Sequence, residues 1–537
     1  MSVAEVLGSF TDFVGSPADA HCLFPPLEAL CRVEESTVRD MSVTSINQIA
    51  KGLEVSQLQQ HLAPLVLRLA KSSDWFTPRV SACGLFAAAY KACAESPQGV
   101  ELRSVFCKDL CADESPMVRR AAAARLAEMA EALSTSAAIE APRGAEGSLL
   151  SQFIRLLSDE QESIRVNALR GAAEICRRIS LQSKLQVLKE HLKKCVADRA
   201  WRVRIACAEV IADVAAACVA EPETRQPLEE LYLSLQKDHE QEVRVATALR
   251  GAKATKALGP TFGKEAVFPV IHALVHDQNS LSRVELSKVL MDMAAPLERD
   301  GALELVLPLI RLLSEDENTN VRLSVIHRLD DFIGVVGLGG AVDAELLPLL
   351  VRLAEDKNWR VRHAVLLLFP VLAQELGPVA FQQQFGALLK AAANDCCALI
   401  RDDFVVVMGQ IAQSGDGDGA GFGTEWLESA VAPELLACTS HKNYQFRAVL
   451  LTGICVLAGM FTANTLENRL LPPALDMAED KVPNLRIAAA AALRAAAAHV
   501  SADLLQEKVI PRLQMLAQDE DIDVKFMADE ALKELAP

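Results

Sequence analysis

One basic residue returns along this chain at nearly constant intervals. Val38-Arg39, Val118-Arg119, Ile164-Arg165, Val203-Arg204, Val243-Arg244, Val321-Arg322, Val361-Arg362, Ile400-Arg401, Leu485-Arg486 and Val524-Lys525 are closely related pairs, with looser copies at Arg79, Arg283 and Arg447. The thirteen basic residues are 39 or 40 residues apart, except at two steps of 46. So regular a period over 537 residues excludes a single compact core and requires stacked copies of one unit.

Two further positions keep the same period. An Asp lies six residues before the basic residue in ten copies: Asp113, Asp159, Asp198, Asp238, Asp277, Asp316, Asp356, Asp395, Asp480 and Asp519. A Pro lies fourteen before it in seven: Pro25, Pro269, Pro308, Pro348, Pro433, Pro472 and Pro511. Pro is tolerated in a first helical turn, so it is read as opening a first helix. The Asp then falls in a turn and the Val-Arg pair opens a second helix. Val118, Ala122, Leu126 and Met129 share one face of that second helix, as do Val321, Val325, Leu329 and Phe332, and Val361, Val365, Phe369 and Leu372. A period in the ~40–47 range is the signature of HEAT and armadillo arrays of helical hairpins. The chain reads as an all-α solenoid of about thirteen full repeats, 1–537, forming a superhelix. "SVAEVLGSFTDFVG" before the first repeat reads as the second helix of an incomplete one.

Composition agrees. Hydrophobic residues make up 51% but aromatics only 5%, which favours helix on helix over a β-sandwich. The net charge of −17 leaves no basic stripe for nucleic acid. The N-terminus lacks a signal pattern, and apolar runs stop near ten residues, about half of a ~20-residue membrane span. The fourteen cysteines contain no C-x-x-C and are expected to be mostly small buried hydrophobes in a reducing compartment. The expected location is cytoplasmic, with the nucleus open as well.

The two long steps carry "STSAAIEAPRGAEGS" (134–148) and "SGDGDGAGFG" (414–423), both expected to be flexible loops between repeats. The second fails both the G-x-G-x-x-G spacing and the EF-hand pattern. Catalytic and metal signals are poor. His272 and His276 lack the Glu of H-E-x-x-H, Cys396-Cys397 are adjacent, and neither G-x-S-x-G nor a Walker A motif occurs. No enzyme activity, cofactor or metal is expected.

The periodic Asp and Arg read as a ladder, each Arg reaching the Asp of an adjacent repeat. The alternative is a charged binding strip, but a pairing in nearly every copy is not a localised site. Such pairs are expected to be partly exposed and worth only ~0–1 kcal/mol each. The slot three residues before the basic residue is mostly small or polar, yet aromatic at Phe76 (beside Trp75), Trp201, Trp359 and Tyr444. Exposed aromatics beside Arg are preferred anchors of protein interfaces; the alternative is that each ring packs on a neighbouring turn. Their placing, two in the front half and two in the back, suggests two partner sites.

"LFPPLEALCRVEESTVRD", "DWFTPRVSACGLF", "DESPMVRRAAA", "DRAWRVR", "LLPLLVRLAEDKNWRVR", "NYQFRA" and "DIDVKFMADEAL" are non-repetitive details. Through them the chain resembles, over nearly its whole length, the scaffolding A subunits of serine/threonine protein phosphatase type 2A. The resemblance implies a horseshoe without catalytic activity that assembles a heterotrimer. Within it, 340–537 would hold the phosphatase catalytic subunit, whereas 1–290 would hold an exchangeable regulatory B-type subunit. Carried over by motif, the catalytic-subunit side is Trp359, Arg360, Cys397, Tyr444, Arg447, Asn484 and Ile522. The regulatory side is Glu34, Glu35, Trp75, Phe76, Glu114, Pro116, Met117, Arg120, Trp201 and Arg202. Cys397 and Pro483 depart from the family pattern. One and a half repeats of the family are absent from the front, which implies an incomplete regulatory site. The rival readings are a generic HEAT scaffold and a transport receptor of the importin-β kind. Such receptors usually run much longer and bind basic cargo on an acidic surface.

Overall fold

In a computed structural model, which describes residues 2–15, 17–73, 75–140, 148–339, 341–414 and 421–535, each sequence period becomes two helical arms joined by a short turn. No strand occurs among the described residues. The second arm starts three residues ahead of the repeated basic residue in all thirteen repeats. Ser36, Phe76, Pro116, Glu162, Trp201, Gln241, Ser280, Thr319, Trp359, Ala398, Tyr444, Pro483 and Ile522 are each the first residue of a helix. The slot that carries the aromatics is therefore the entry to this arm, at the intra-repeat turn.

The apolar faces read from the sequence are buried: Val118, Ala122, Leu126 and Met129 are at most 1% exposed, and the faces beginning at Val321 and Val361 are equally covered. Several second arms are interrupted midway without losing that face. Pro116–Ala124 passes to Leu126–Leu133 through Arg125, and Glu162–Arg170 to Ala172–Arg178 through Gly171. At Gly171 a Cβ would come within 3.1 Å of Leu126 Cβ, so the break lies at a close approach of consecutive second arms.

In most copies the periodic Pro stands in the first turn of an α-segment, as read, but the arm itself starts earlier, and at five of the seven Pro a widened turn precedes that segment. π-helical segments precede the α-segments holding Pro269, Pro308, Pro433, Pro472 and Pro511, as in Leu505–Val509 before Ile510–Leu516. Pro lacks the N–H for an i−4 bond and its ring would strike that carbonyl; a wider turn relieves both problems.

Ser2–Gly8 packs on Ser36–Ala50, as expected of the second arm of an incomplete repeat. Ser45 Oγ donates to the Ala4 carbonyl at 2.6 Å, and Gly8 lies so near that a Cβ there would be 2.6 Å from the same oxygen. Part of the first expected loop, 141–147, and most of the second, 415–420, lie outside the described residues. The described start of the first is not a loop: Ser136–Glu140 is a short helix that buries Ile139. The described end of the second does more than connect repeats: Phe422 is buried and meets Trp426 and Phe381 edge-on, at 5.1 and 5.9 Å between ring centroids. All fourteen cysteines are free and ten are buried. The fold divides into two compact units, Met1–Leu274 and Val275–Pro537.

Candidate functional site: the intra-repeat turns

Where the periodic Asp is present, the turn is built around it. In the fifth repeat, Asp198 Oδ1 accepts the Ala200 amide at 2.8 Å and closes the turn. The Asp198 carboxylate receives Arg165 of the preceding repeat, Nε–Oδ2 2.8 Å and a second bond at 2.9 Å. The Asp198 carbonyl accepts Arg204 of its own repeat at 2.8 Å. Arg204 then reaches Asp238 at 2.6 Å. Equivalent inter-repeat pairs join Arg79–Asp113 and Arg119–Asp159 in the front unit. In the back unit they join Arg283–Asp316, Arg322–Asp356, Arg362–Asp395, Arg447–Asp480 and Arg486–Asp519.

The ladder is thus observed, and most of its pairs are partly exposed as expected: the Arg79 and Asp113 side chains are 20% and 9% exposed, and those of Arg447 and Asp480 17% and 19%. The Arg204 and Asp238 side chains are only 5% and 6% exposed, because the turns above and below close over the bidentate pair. Burial alone would raise the Asp238 carboxyl; the Arg204 hydrogen bonds, the Glu240 amide and the guanidinium charge outweigh it and hold the group below its ordinary value. Asp316 and Asp395 are held low in the same way, and at Asp519 the Arg486 bond is the leading cause. Three repeats lack the Asp, with Val33, Ser73 and His441 at its position. At His441, buried Arg401 lies instead over the Phe446 ring at 4.4 Å, while Phe446 stacks on His441.

With the ladder fixing one turn beside the next, the side chains at the helix entries face outward. In the front unit Trp201 is 39% exposed, with the Arg202 guanidinium 4.9 Å from its ring; Arg202 also reaches Glu162, the equivalent entry residue one repeat earlier, at 3.4 Å. Trp75 is 59% exposed and tilts against half-buried Phe76 at 5.2 Å. Pro116 opens its helix, with Met117, Arg120 and Glu114 exposed around it. Glu34 and Glu35 are exposed, the Glu34 carbonyl holding Arg39 at 2.6 Å.

In the back unit Arg360 lies 4.6 Å from the ring of half-buried Trp359, and its amide donates to Asn358 Oδ1 at 2.9 Å. Tyr444 is a half-buried entry residue, Cys397 is half-buried with its amide on Asp395, and Asn484 is exposed. Arg447 is engaged in the ladder, its guanidinium on Asp480 at 2.7 Å. Ile522 is 78% exposed.

Sequence reasoning missed three features. Phe526, one turn after Ile522, is 64% exposed, and Leu281 stands exposed at the position that Arg202 and Arg360 occupy elsewhere. Asn279, Asn318, Asn358 and Asn443 each cap a second arm, accepting the amide two residues on. Their fixed place four residues before the basic residue was the available signal. Among the described residues no group of three His, Cys, Asp or Glu is placed to hold a metal ion. No single described helix is long and apolar enough to cross a membrane.

The chain is similar in sequence and in fold to known proteins. Residues 221–298 match the family described as PPP2R1A-like HEAT repeat, and 346–376 match HEAT repeat. The chain is 44% identical over 170 residues to a probable serine/threonine-protein phosphatase PP2A regulatory subunit of Caenorhabditis elegans, covering 32% of this chain and 27% of that protein. It is 50% identical over 133 residues to the beta isoform of the phosphatase 2A 65 kDa regulatory A subunit of Rattus norvegicus, covering 25% and 22%. The PP2A regulatory A subunit of Schizosaccharomyces pombe is 36% identical over 204 residues, covering 38% and 33%. The matched stretches span 22–33% of these relatives' lengths. Among solved structures, Kap95p with RanGDP superposes with a TM-score of 0.58 at 16% identity, over 96% of this chain and 67% of that one. Kap121p gives 0.50 at 14%, over 99% and 60%. At such identities the likeness shows the fold alone. The chain is a HEAT-repeat protein, similar in sequence to the 65 kDa regulatory A subunits of phosphatase 2A.

Proposed function

We propose that the chain is a non-catalytic scaffold that assembles a phosphatase 2A heterotrimer, with the catalytic subunit on turns of the back unit and an exchangeable B-type subunit on turns of the front unit. The observation that carries this reading is the pair of Trp–Arg stacks, Trp201–Arg202 and Trp359–Arg360, at helix entries that the ladder leaves facing outward. Trp and Arg are the commonest interface anchors, and stacking holds the guanidinium in place before a partner arrives. Holding two partners on one chain raises their effective concentration for each other. The relatives' names support the phosphatase; the karyopherin likeness, being of fold alone, does not favour a transport receptor. The proposed location is the cytoplasm, with the nucleus included.

The test is a binding titration against purified phosphatase 2A catalytic subunit. Two hot-spot residues together are worth about 2 kcal/mol or more, so Trp359→Ala/Arg360→Ala weakens binding at least ~30-fold. Trp201→Ala/Arg202→Ala leaves it unchanged. No binding by the unaltered chain would remove the reading; equal binding by the first variant would remove the docking turn.

A further inference from the structure

Apart from the ladder and the docking turns, the front unit carries a groove between two consecutive first arms. One wall is the last part of the fifth repeat's first arm, Val187–Leu192 continuing into Lys193–Val196; the other is Arg225–Gln236 of the sixth. The two arms are in contact, yet they leave a space of about 170 Å³ between them. Ala197 and Ser234, both exposed and both small, stand at its edge and keep it open.

The floor is apolar: Leu188, Val196, Pro227 and Leu231 line it and are otherwise buried. The rim is charged unevenly. Lys189 and Lys193, one helical turn apart, stand exposed on one side, with exposed Lys194 beside them. None of the three is paired with a carboxylate among the described residues. Glu190, between them, turns to His191 instead, at 3.9 Å. The one acid lining the groove is Glu230 on the opposite wall, and its carboxylate accepts Gln226 Nε2 at 3.0 Å. In a chain of net charge −17, three exposed cations without a carboxylate partner attract an acidic ligand.

The size of the space decides what fits. Pockets for drug-sized molecules and cofactors run to about 300–1,000 Å³, whereas a cavity of about 150 Å³ holds a benzene ring. A space of about 170 Å³ therefore has room for one branched or aromatic side chain. An anionic membrane fits less well. Membranes are entered by apolar residues that protrude, whereas this apolar surface is recessed between two arms, and the chain's net charge repels such a bilayer.

We propose that this groove is a docking site for an acidic peptide segment of a partner protein. The segment inserts a single large apolar side chain between the first arms and sets its carboxylates against Lys189 and Lys193. The site is distinct from the docking turns, none of whose proposed residues lines it. The buried side chain supplies most of the affinity, and the lysines select acidic neighbours and speed the encounter.

The experiment passes a synthetic peptide pool, Glu-Asp-X-X-Asp-Glu with every residue but Cys at X, over the immobilised full-length chain and identifies the bound peptides by mass spectrometry. Leu, Ile, Met or Phe is expected to be enriched at X. The enriched peptide is then labelled with fluorescein and titrated by anisotropy. Replacing its apolar residue with Ala weakens binding about tenfold, the loss expected for a side chain no longer buried. Replacing its acids with the amides weakens it several-fold, as does added salt, because rim charges are screened. In the protein, Lys189→Glu/Lys193→Glu reverses the charge, and Ser234→Phe fills the space; each reduces binding about tenfold or more with the melting point unchanged. Ala197→Phe fills the space from the other arm and decides if Ser234→Phe fails to fold. Trp201→Ala/Arg202→Ala leaves peptide binding intact. The proposal is overturned by a pool without an enriched apolar residue, by binding that survives both filling variants or is lost with the Trp201 variant, and by a chain that binds phosphatidylserine vesicles but not the pool.

Discussion

At the scale of single residues, the ladder does more than hold register. Each Asp closes its own turn, receives the preceding repeat's Arg and offers its carbonyl to its own, so removing either partner leaves a charge with little water to replace it. Arg204→Met strands Asp238 at 6% exposure and is expected to cost about 3 kcal/mol, measured as a lower urea midpoint. The ladder carboxyls also make a pH prediction. Asp238, Asp316, Asp395 and Asp519 titrate below their ordinary 3.8 when folded, so their stabilisation is complete above the unfolded value and is lost as pH falls through the folded one. The urea midpoint is therefore flat near neutrality and drops steeply below about pH 4. Asp238→Asn/Asp316→Asn lowers the neutral plateau and flattens that acid slope; an unchanged slope contradicts the assignment. The pairing was legible because the Asp and Arg share one period. The deeper burial of Arg204–Asp238 was not, since that depends on how closely successive turns stack, which a single repeat's sequence does not encode.

At the scale of the element, the second arm was readable and the first was not. A helix entry three residues before the basic residue follows from the Val-Arg period and the apolar face. The start of the first arm was misread because a Pro in a first helical turn more commonly opens the whole helix; here a π-helical turn ahead of it, inside a longer arm, serves the same missing N–H. The caps bear on the proposed docking because they set the helix entries from which Trp359, Arg360 and Tyr444 project. Asn358→Ala is expected to cost about 1 kcal/mol, read as a lower melting point, with Asn358→Ser recovering most of it. The last arm offers a different check. Ile522 and Phe526 face solvent, so Ile522→Ala/Phe526→Ala leaves the melting point unchanged, yet it weakens catalytic-subunit binding if that surface is used. The sequence pointed to Ile522 only through a resemblance; Phe526 was hidden because an apolar residue on a helix gives no sign by itself of facing outward.

At the scale of the whole molecule, repetition explains both what was legible and where function resides. In a chain of similar units, each stabilised mainly by its neighbours, partners must be held on recurring surface positions that differ from the consensus. Trp201 and Trp359 were conspicuous for that reason: they break the pattern of small and polar entries without breaking the repeat. Placed on separate units, they predict two independent docking sites and hence a bridging function. In the most direct measurement, purified phosphatase 2A catalytic subunit is immobilised, then a purified B-type regulatory subunit is supplied with and without this chain. The account predicts that the regulatory subunit is retained when the chain is present, and that Trp359→Ala/Arg360→Ala or Trp201→Ala/Arg202→Ala sharply reduces its retention. Retention that is the same without the chain, or absent with it, would contradict the scaffold.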